Sequence, residues 1–173
     1  MRLLAIAATN YRTLQDTSLF FSDNYCTISG KNNAGKSCVI RLLTALFRSG
    51  TSFPWSTDDF RLDYKEDKTQ WVKQPVPITI VYDLHLTKEE DPALISFIEK
   101  IASITIEGAA TALRISYHIS DSEGLSVSVV VDGKETDEKA AKEIDKRVKD
   151  SNLLFLYNST TKHEDYYYGR GRR

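Results

Sequence analysis

The stretch GKNNAGKS at residues 30–37 fits the phosphate-binding loop pattern G-x-x-x-x-G-K-S/T, also called Walker A. An apolar segment at 25–29, which we predict to be a strand, precedes it. Residues 37–48 follow it, and their apolar positions recur at helical spacing. Because a strand, a glycine-containing loop and a helix in this order form a phosphate cradle, the sequence predicts a nucleotide-binding loop.

Each fixed position of this loop has a physical role. Gly30 and Gly35 permit backbone dihedrals that turn successive N–H groups toward one anion. We expect Lys36 to contact the β- and γ-phosphates of ATP and the Ser37 hydroxyl to ligate Mg²⁺. The alternative is a glycine turn that precedes a helix by chance. The predicted binding residues of the loop and the helix start are Gly30, Lys31, Asn32, Asn33, Ala34, Gly35, Lys36, Ser37 and Cys38.

Composition limits the class of protein. The chain has 173 residues, enough for one domain with a buried core, and its 23 basic and 24 acidic residues leave a net charge of −1. Such a balance argues against a protein that coats nucleic acid over its whole surface. No apolar run is long enough for a membrane span and no signal peptide is evident, so we expect a cytoplasmic protein without a membrane partner.

The two cysteines, Cys26 and Cys38, flank the loop without the spacing of a metal site. Cys38 falls in the first turn of the predicted helix, where the helix dipole favours a reactive thiolate. The alternative is a small residue used for packing.

Outside the loop, periodicity predicts the following elements. The segments 2–8 and 17–21 are predicted strands joined by a polar turn at 9–13, and the polar stretch 49–74 is predicted to be mostly loop with one short helix. Helices are predicted at 92–103 and 137–149, a hairpin turn at 120–124 and a last strand at 152–157. Alternation predicts antiparallel strands buried on one side. The alternating positions are Val76, Ile78, Ile80, Tyr82, Leu84, Leu86, Leu113, Ile115, Tyr117, Ile119, Leu125, Val127, Val129 and Val131.

Residues 3–47 resemble the start of SMC, RecF and OLD-family ATPases: a strand, an N-Y-R-T-L turn at 10–14, a second strand, then the N-N-A-G-K-S spelling of the loop. The resemblance implies an α/β P-loop NTPase, specifically the N-terminal lobe of an ABC-type ATPase head with an antiparallel β subdomain. The lobe would span 1–173, with strands, loop and first helix in 1–48 and the antiparallel sheet with its helices in 75–157. It also implies that Arg12 approaches the nucleotide; a solvent-exposed turn arginine is the alternative.

Three further stretches resemble OLD-like ATPases of phage defence, such as Gabija-type and Septu or retron-associated proteins. They are Asp58-Asp59-Phe60, PITIVYDLHL at 77–86 and NLLFLYNST at 152–160. This resemblance implies a homodimer or higher homo-oligomer formed through the ATPase head, which gates a nuclease domain or nuclease partner with DNA as a possible ligand. One alternative is a RecF- or SMC-type repair or chromosome-maintenance ATPase. Another is a nucleotide-binding scaffold that does not hydrolyse ATP.

The sequence does not assign the catalytic residues. Hydrolysis in ABC-type ATPases requires an acidic pair after four apolar residues, and the run ending at Asp132 imitates it only superficially, since Gly133 marks a turn. The run ending at Tyr82-Asp83 does not provide this acidic pair either. The three histidines are too scattered for a metal site: His85, His118 and His163. We therefore expect the segment to be inactive alone and completed by other residues and a second subunit. The end at 166–173 combines three tyrosines with three arginines, suited to stacking on bases or simply part of a loop.

Overall fold

The computed structural model describes residues 1–21, 28–29, 35–47, 56–67 and 70–151. Three helices, eight strands and one 3-10 turn occur within these ranges. In chain order they are β1 Arg2–Tyr11, β2 Leu14–Phe20, α1 Lys36–Phe47, the 3-10 turn Thr57–Asp59, β3 Leu62–Asp67, β4 Gln70–Pro75, β5 Ile78–Thr87, α2 Pro92–Ala102, β6 Ala110–Ser120, β7 Gly124–Val131, β8 Lys134–Glu135 and α3 Glu138–Lys149.

Six strands form one sheet in the order β2-β1-β5-β6-β7-β8, and every pair is antiparallel. The prediction of antiparallel strands is therefore confirmed. Strand β1 lies between β2 and β5, so strands from 1–48 and from 75–157 share a single sheet. Strands β3 and β4 pair only with each other in the described part of the chain.

One face of the sheet forms the core, as the alternation predicts. Every second residue of β5, and of β6 from Leu113, is fully buried, whereas in β7 only Val129 and Val131 are fully buried. The fully buried residues of the two central strands are Ile78, Ile80, Tyr82, Leu84, Leu86, Leu113, Ile115, Tyr117 and Ile119. Val76 precedes β5, and Leu125 and Val127 are half-buried.

The helices agree closely with the predicted segments. Helix α2 ends at Ala102, where Ser103 takes the left-handed conformation of a C-cap, and Asp137 caps α3 by accepting a bond from Ala140 N–H at 2.9 Å. The hairpin between β6 and β7 also occurs, with Gly124 at φ +75. No described helix is long and apolar enough to cross a membrane.

The polar turn at 9–13 is wrong in extent. Strand β1 continues to Tyr11 and β2 begins at Leu14, so that only Arg12 and Thr13 form the turn. Tyr11 and Leu14 are both buried, and their pairing extends the ladder. Asn10 and Arg12 take positive φ values of 60° and 52°. The polar residues at 9–13 predicted a turn, but packing of Tyr11 and Leu14 against the rest of the chain stabilises the end of β1 and the start of β2 as strand.

The polar stretch 49–74 is also corrected. Its short helix is the turn Thr57–Asp59, but β3 and β4 form a hairpin where we expected loop. Pairing along the backbone satisfies its N–H and C=O groups without an alternating apolar pattern, which is why periodicity missed it. Of the predicted strand at 25–29 only Ile28 and Ser29 are described, outside any strand; the strand at 152–157 and the end at 166–173 lie outside the described residues.

A buried polar network joins α3 to the two central strands. Asp145 accepts hydrogen bonds from the hydroxyls of Tyr117 and Tyr82 on one oxygen, and from Lys149 Nζ at 2.8 Å on the other. The Lys149 ammonium also lies 5.0 Å from the centre of the Tyr117 ring. Burial, followed by the Asp145 charge, raises the pKa of Tyr82 well above 10; burial also raises the pKa of Tyr117. Both phenols therefore remain donors at neutral pH.

Helix α3 carries two acid–lysine pairs at the same spacing, one buried and one exposed. The Lys149 and Asp145 side chains are 1% and 10% exposed, whereas those of Lys142 and Glu138 are 61% and 76% exposed. We expect Lys149→Met to lower the free energy of unfolding by about 3 kcal/mol, because it leaves a buried carboxylate without its counter-ion. Lys142→Met is the matched control and should cost much less, because water already screens the exposed Lys142–Glu138 pair. Denaturant unfolding measures both, and equal losses would contradict this account of the network.

Candidate functional site

The described end of the predicted phosphate-binding loop forms the start of α1. Gly35 takes a left-handed conformation with φ +82, and its carbonyl accepts the first helical bond from Val39 N–H at 3.0 Å. Lys36 begins the helix and Ser37 follows it, exposed to solvent. The first turn contains no acidic residue, so no carboxylate of α1 itself competes for the amide groups that a helix N-terminus leaves without helical partners.

Helix α1 is fixed to the core by its apolar face. Val39, Leu42 and Leu46 are buried, and the Phe47 ring meets the Tyr82 ring edge-on with centroids 5.3 Å apart. Since Tyr82 lies in the central strand β5, the helix start has a defined position relative to the sheet.

The turn between β1 and β2 packs against the start of α1. The Thr13 hydroxyl donates a hydrogen bond to Cys38 Sγ at 3.3 Å. A Cβ at Gly35 would lie 3.2 Å from Leu14 Cδ2 and 3.5 Å from Thr13 Oγ1. Glycine at this position therefore allows both the positive φ and the close approach of the turn. The half-buried Cys38 thiol has a packing and hydrogen-bonding role in this contact.

Arg12 is held in the same turn by a second segment. Its backbone N–H donates to Asp59 O at 2.9 Å, and its Nε donates to Asp59 Oδ1 at 2.6 Å. The neighbouring residues Tyr11 and Phe60 form a β-bridge. The hydrogen bond that Arg12 donates to the Asp59 carboxylate raises the pKa of the Arg12 guanidinium above its usual value. Burial, then the Asp59 charge, raises the pKa of Tyr11 to about 12.

The structure thus brings together the described members of the predicted binding set. The helix start contains Gly35, Lys36, Ser37 and Cys38. Arg12 lies in the β1–β2 turn beside Thr13, which donates a hydrogen bond to Cys38 and lies close to Gly35. The remaining predicted residues, Gly30, Lys31, Asn32, Asn33 and Ala34, lie outside the described residues.

The acidic side chains rejected as metal ligands have structural partners. Asp132 Oδ1 accepts the Ala112 N–H at 3.0 Å inside the Asp132-Gly133 turn, where both residues have positive φ. Asp83 forms a two-bond pair with Arg114, at 2.7 and 3.0 Å. No cluster of three or more His, Cys, Asp or Glu side chains suited to a metal ion occurs among the described residues.

Two residues of the site were not identified from the sequence. The sequence singles out Asp59 only within the Asp58-Asp59-Phe60 resemblance and Thr13 only within the polar turn at 9–13. Asp59 contacts Arg12 across 47 positions, a separation that no local pattern reveals. Its side chain is 5% exposed, which is unusual for an acid and depends on the arginine partner.

Comparison with protein families shows that the chain belongs to the AAA ATPase domain family, whose model matches residues 1–169. This membership supports an α/β P-loop fold with nucleotide binding and ATPase activity as the general function. No curated protein matches the chain.

The close approach of the turn to Gly35 is testable with a matched pair of glycines. Gly35 and Gly133 have nearly the same φ, +82 and +79, but no atom lies within 4 Å of a Cβ built at Gly133. We expect Gly133→Ala to lower the free energy of unfolding by about 1–2 kcal/mol through left-handed strain alone. Gly35→Ala should cost about 1 kcal/mol more, because Leu14 must also move. Denaturant unfolding of the two variants compares the losses, and a smaller loss at Gly35 would contradict the packing account.

Proposed function

We propose that this chain binds ATP with Mg²⁺ at residues 30–37 and forms one side of a composite ATPase site. Lys36 would hold the β- and γ-phosphates, the Ser37 hydroxyl would ligate Mg²⁺, and Arg12 would face the same phosphates from the adjacent turn. Bound Mg²⁺ would offset the phosphate charge. The observation that carries the proposal is the convergence of Gly35, Lys36, Ser37 and the Arg12 turn at one helix N-terminus.

The chemistry of these residues suits the ligand. Gly35 takes a left-handed conformation at the helix start, and a Cβ added there would contact the neighbouring β1–β2 turn. The exposed Ser37 offers an oxygen, the donor type that Mg²⁺ prefers. Family membership independently supports nucleotide binding.

Thermal unfolding with and without ATP·Mg tests this proposal. At a free ligand concentration one hundred times its dissociation constant, the native state should gain about 2.7 kcal/mol, which raises the melting temperature by several degrees. Lys36→Ala should abolish most of this gain by removing the phosphate contact. Lys139→Ala, an exposed lysine on α3, is the control and should keep it. If Lys36→Ala retains the full shift, the phosphate-loop assignment is wrong.

The wider role that we propose is that of an OLD-like ATPase lobe. ATP binding would close a head-to-head dimer, hydrolysis would reopen it, and this cycle would gate a nuclease in anti-phage defence. The support is the resemblance of residues 3–47 and of Asp58-Asp59-Phe60 to that branch. The described residues include no assigned water-activating acid, so the hydrolytic machinery would be completed by other segments and by the second subunit.

Sedimentation velocity tests the dimer. We expect the sedimenting mass to double with ATP·Mg and to remain that of a monomer with ADP, because the γ-phosphate would bridge the two subunits. Lys36→Ala, which should not bind the nucleotide, provides the control and should stay monomeric under both conditions. A mass that ATP·Mg leaves unchanged in a wild-type protein already shown to bind ATP would contradict the head-to-head dimer.

A further inference from the structure

Asp59 is a buried acid that the proposed nucleotide contacts do not use. Its side chain is 5% exposed, and both carboxylate oxygens have donors: Oδ1 accepts the Arg12 Nε–H at 2.6 Å, and Oδ2 accepts the Ser56 N–H at 2.9 Å. The Ser56 hydroxyl lies 3.4 Å from Oδ2. A carboxylate engaged in this way is poorly placed to ligate a metal or accept a proton from water, so its partner of interest is the arginine.

Asp59 holds both the backbone and the side chain of Arg12. The backbone N–H of Arg12 donates to the Asp59 carbonyl, and the side chain donates to the Asp59 carboxylate. Arg12 has a φ of 52°, a left-handed conformation that is costly for a residue other than glycine and persists only where neighbours impose it. The double contact, next to the bridge between Tyr11 and Phe60, supplies that restraint.

The geometry leaves the outer end of the guanidinium for another ligand. Asp59 engages Nε, and within the described residues Nη1 and Nη2 make no hydrogen bond. The side chain is 23% exposed. Arg12 precedes Thr13 in the β1–β2 turn, and Thr13 donates a hydrogen bond to Cys38 near the start of α1. Two coplanar N–H donors held on a fixed stem suit the bidentate recognition of phosphate oxygens.

We infer that Asp59 is a positioning residue that orients Arg12 toward the phosphates of the nucleotide bound at the start of α1. This inference rests on the proposed ATP site and extends it to a residue that itself touches no nucleotide. Holding the arginine before the ligand arrives removes the entropy cost of ordering a long side chain on binding. Without Asp59, the Arg12 guanidinium would keep its charge but would no longer be held in one orientation.

A double-mutant cycle on ATP·Mg affinity separates positioning from a merely structural role. We expect Arg12→Ala to weaken ATP binding about tenfold and Asp59→Asn about fivefold, since charge-assisted hydrogen bonds are lost in each case. In the Arg12→Ala background, Asp59→Asn should cause no further loss. Titration with a fluorescent ATP analogue gives the four affinities, and circular dichroism confirms that each variant is folded.

Independent effects would overturn the inference. If Asp59→Asn weakens ATP binding by the same factor with and without the arginine, or leaves it unchanged in the wild-type background, Asp59 does not act through Arg12. Lys36→Ala is measured in parallel. If Lys36→Ala loses ATP binding while the Asp59 and Arg12 effects are additive, the ATP site stands and only the positioning role of Asp59 is refuted. If the wild-type protein does not bind ATP, the ATP site and the inference are refuted together.

Arg12→Lys tests the same contact if Asp59 variants do not fold. Lysine keeps the charge, but its single ammonium has no Nε donor separate from the group that would meet phosphate. It must therefore choose between Asp59 and the nucleotide, and we expect a loss of ATP affinity close to that of Arg12→Ala. An Arg12→Lys protein that binds ATP as tightly as the wild type would overturn the inference.

Discussion

The arrangement of the described structure depends on the one-sided burial of the six-stranded sheet. Strand β5 from Ile78 to Leu86 and strand β6 from Leu113 to Ile119 place a large apolar or aromatic residue on the core face at every second position, and each of these residues is completely buried. Burying one such side chain contributes about 1.5–3 kcal/mol, so a change of register that exposed this face would be strongly disfavoured. Because β1 pairs with β5, the same constraint fixes the strand that leads into the Arg12 turn.

Polar groups inside this core determine how the helices sit on the sheet. Asp145 must meet Tyr117, Tyr82 and Lys149, and burial makes any unpaired member costly. This requirement specifies the rotation of α3 more sharply than apolar contacts alone. Tyr82 also meets Phe47, the last residue of α1, so the helix that begins at the phosphate-binding loop and the helix that carries Asp145 contact one tyrosine. The candidate site is thus supported by the most buried part of the molecule.

The site itself is assembled from three separate segments. The start of α1 provides Gly35, Lys36 and Ser37, the β1–β2 turn provides Arg12 and Thr13, and the segment around the 3-10 turn provides Asp59. Helix α1 offers amide groups and a favourable dipole, while the turn brings a fixed positive charge. Two of the left-handed backbone conformations, at Arg12 and Gly35, occur where these segments meet, which is typical of a preorganised binding site.

Local pattern determined a large part of this protein. The helices at 36–47, 92–102 and 138–149, the buried alternation of β5 and β6 and the Asp132-Gly133 turn all follow from residues within a few positions of one another, as does the prediction of a phosphate-binding loop. Such features depend on backbone periodicity and glycine conformation, which one stretch of sequence specifies. The family resemblance in the sequence also predicts that Arg12 approaches the nucleotide.

Tertiary structure decided the rest. The extension of β1 to Tyr11, the β3–β4 hairpin, the burial of Asp59 and Lys149 and the contact of Thr13 with Cys38 each depend on a partner. The polar residues among them look like surface residues in the sequence. An ionic side chain is stable in the interior only where the fold supplies its counter-charge, and for Asp59 that counter-charge is 47 positions away. The sequence by itself therefore determined which residues resemble a nucleotide site, whereas the packing of distant segments decided which charges are buried, paired and held in place around it.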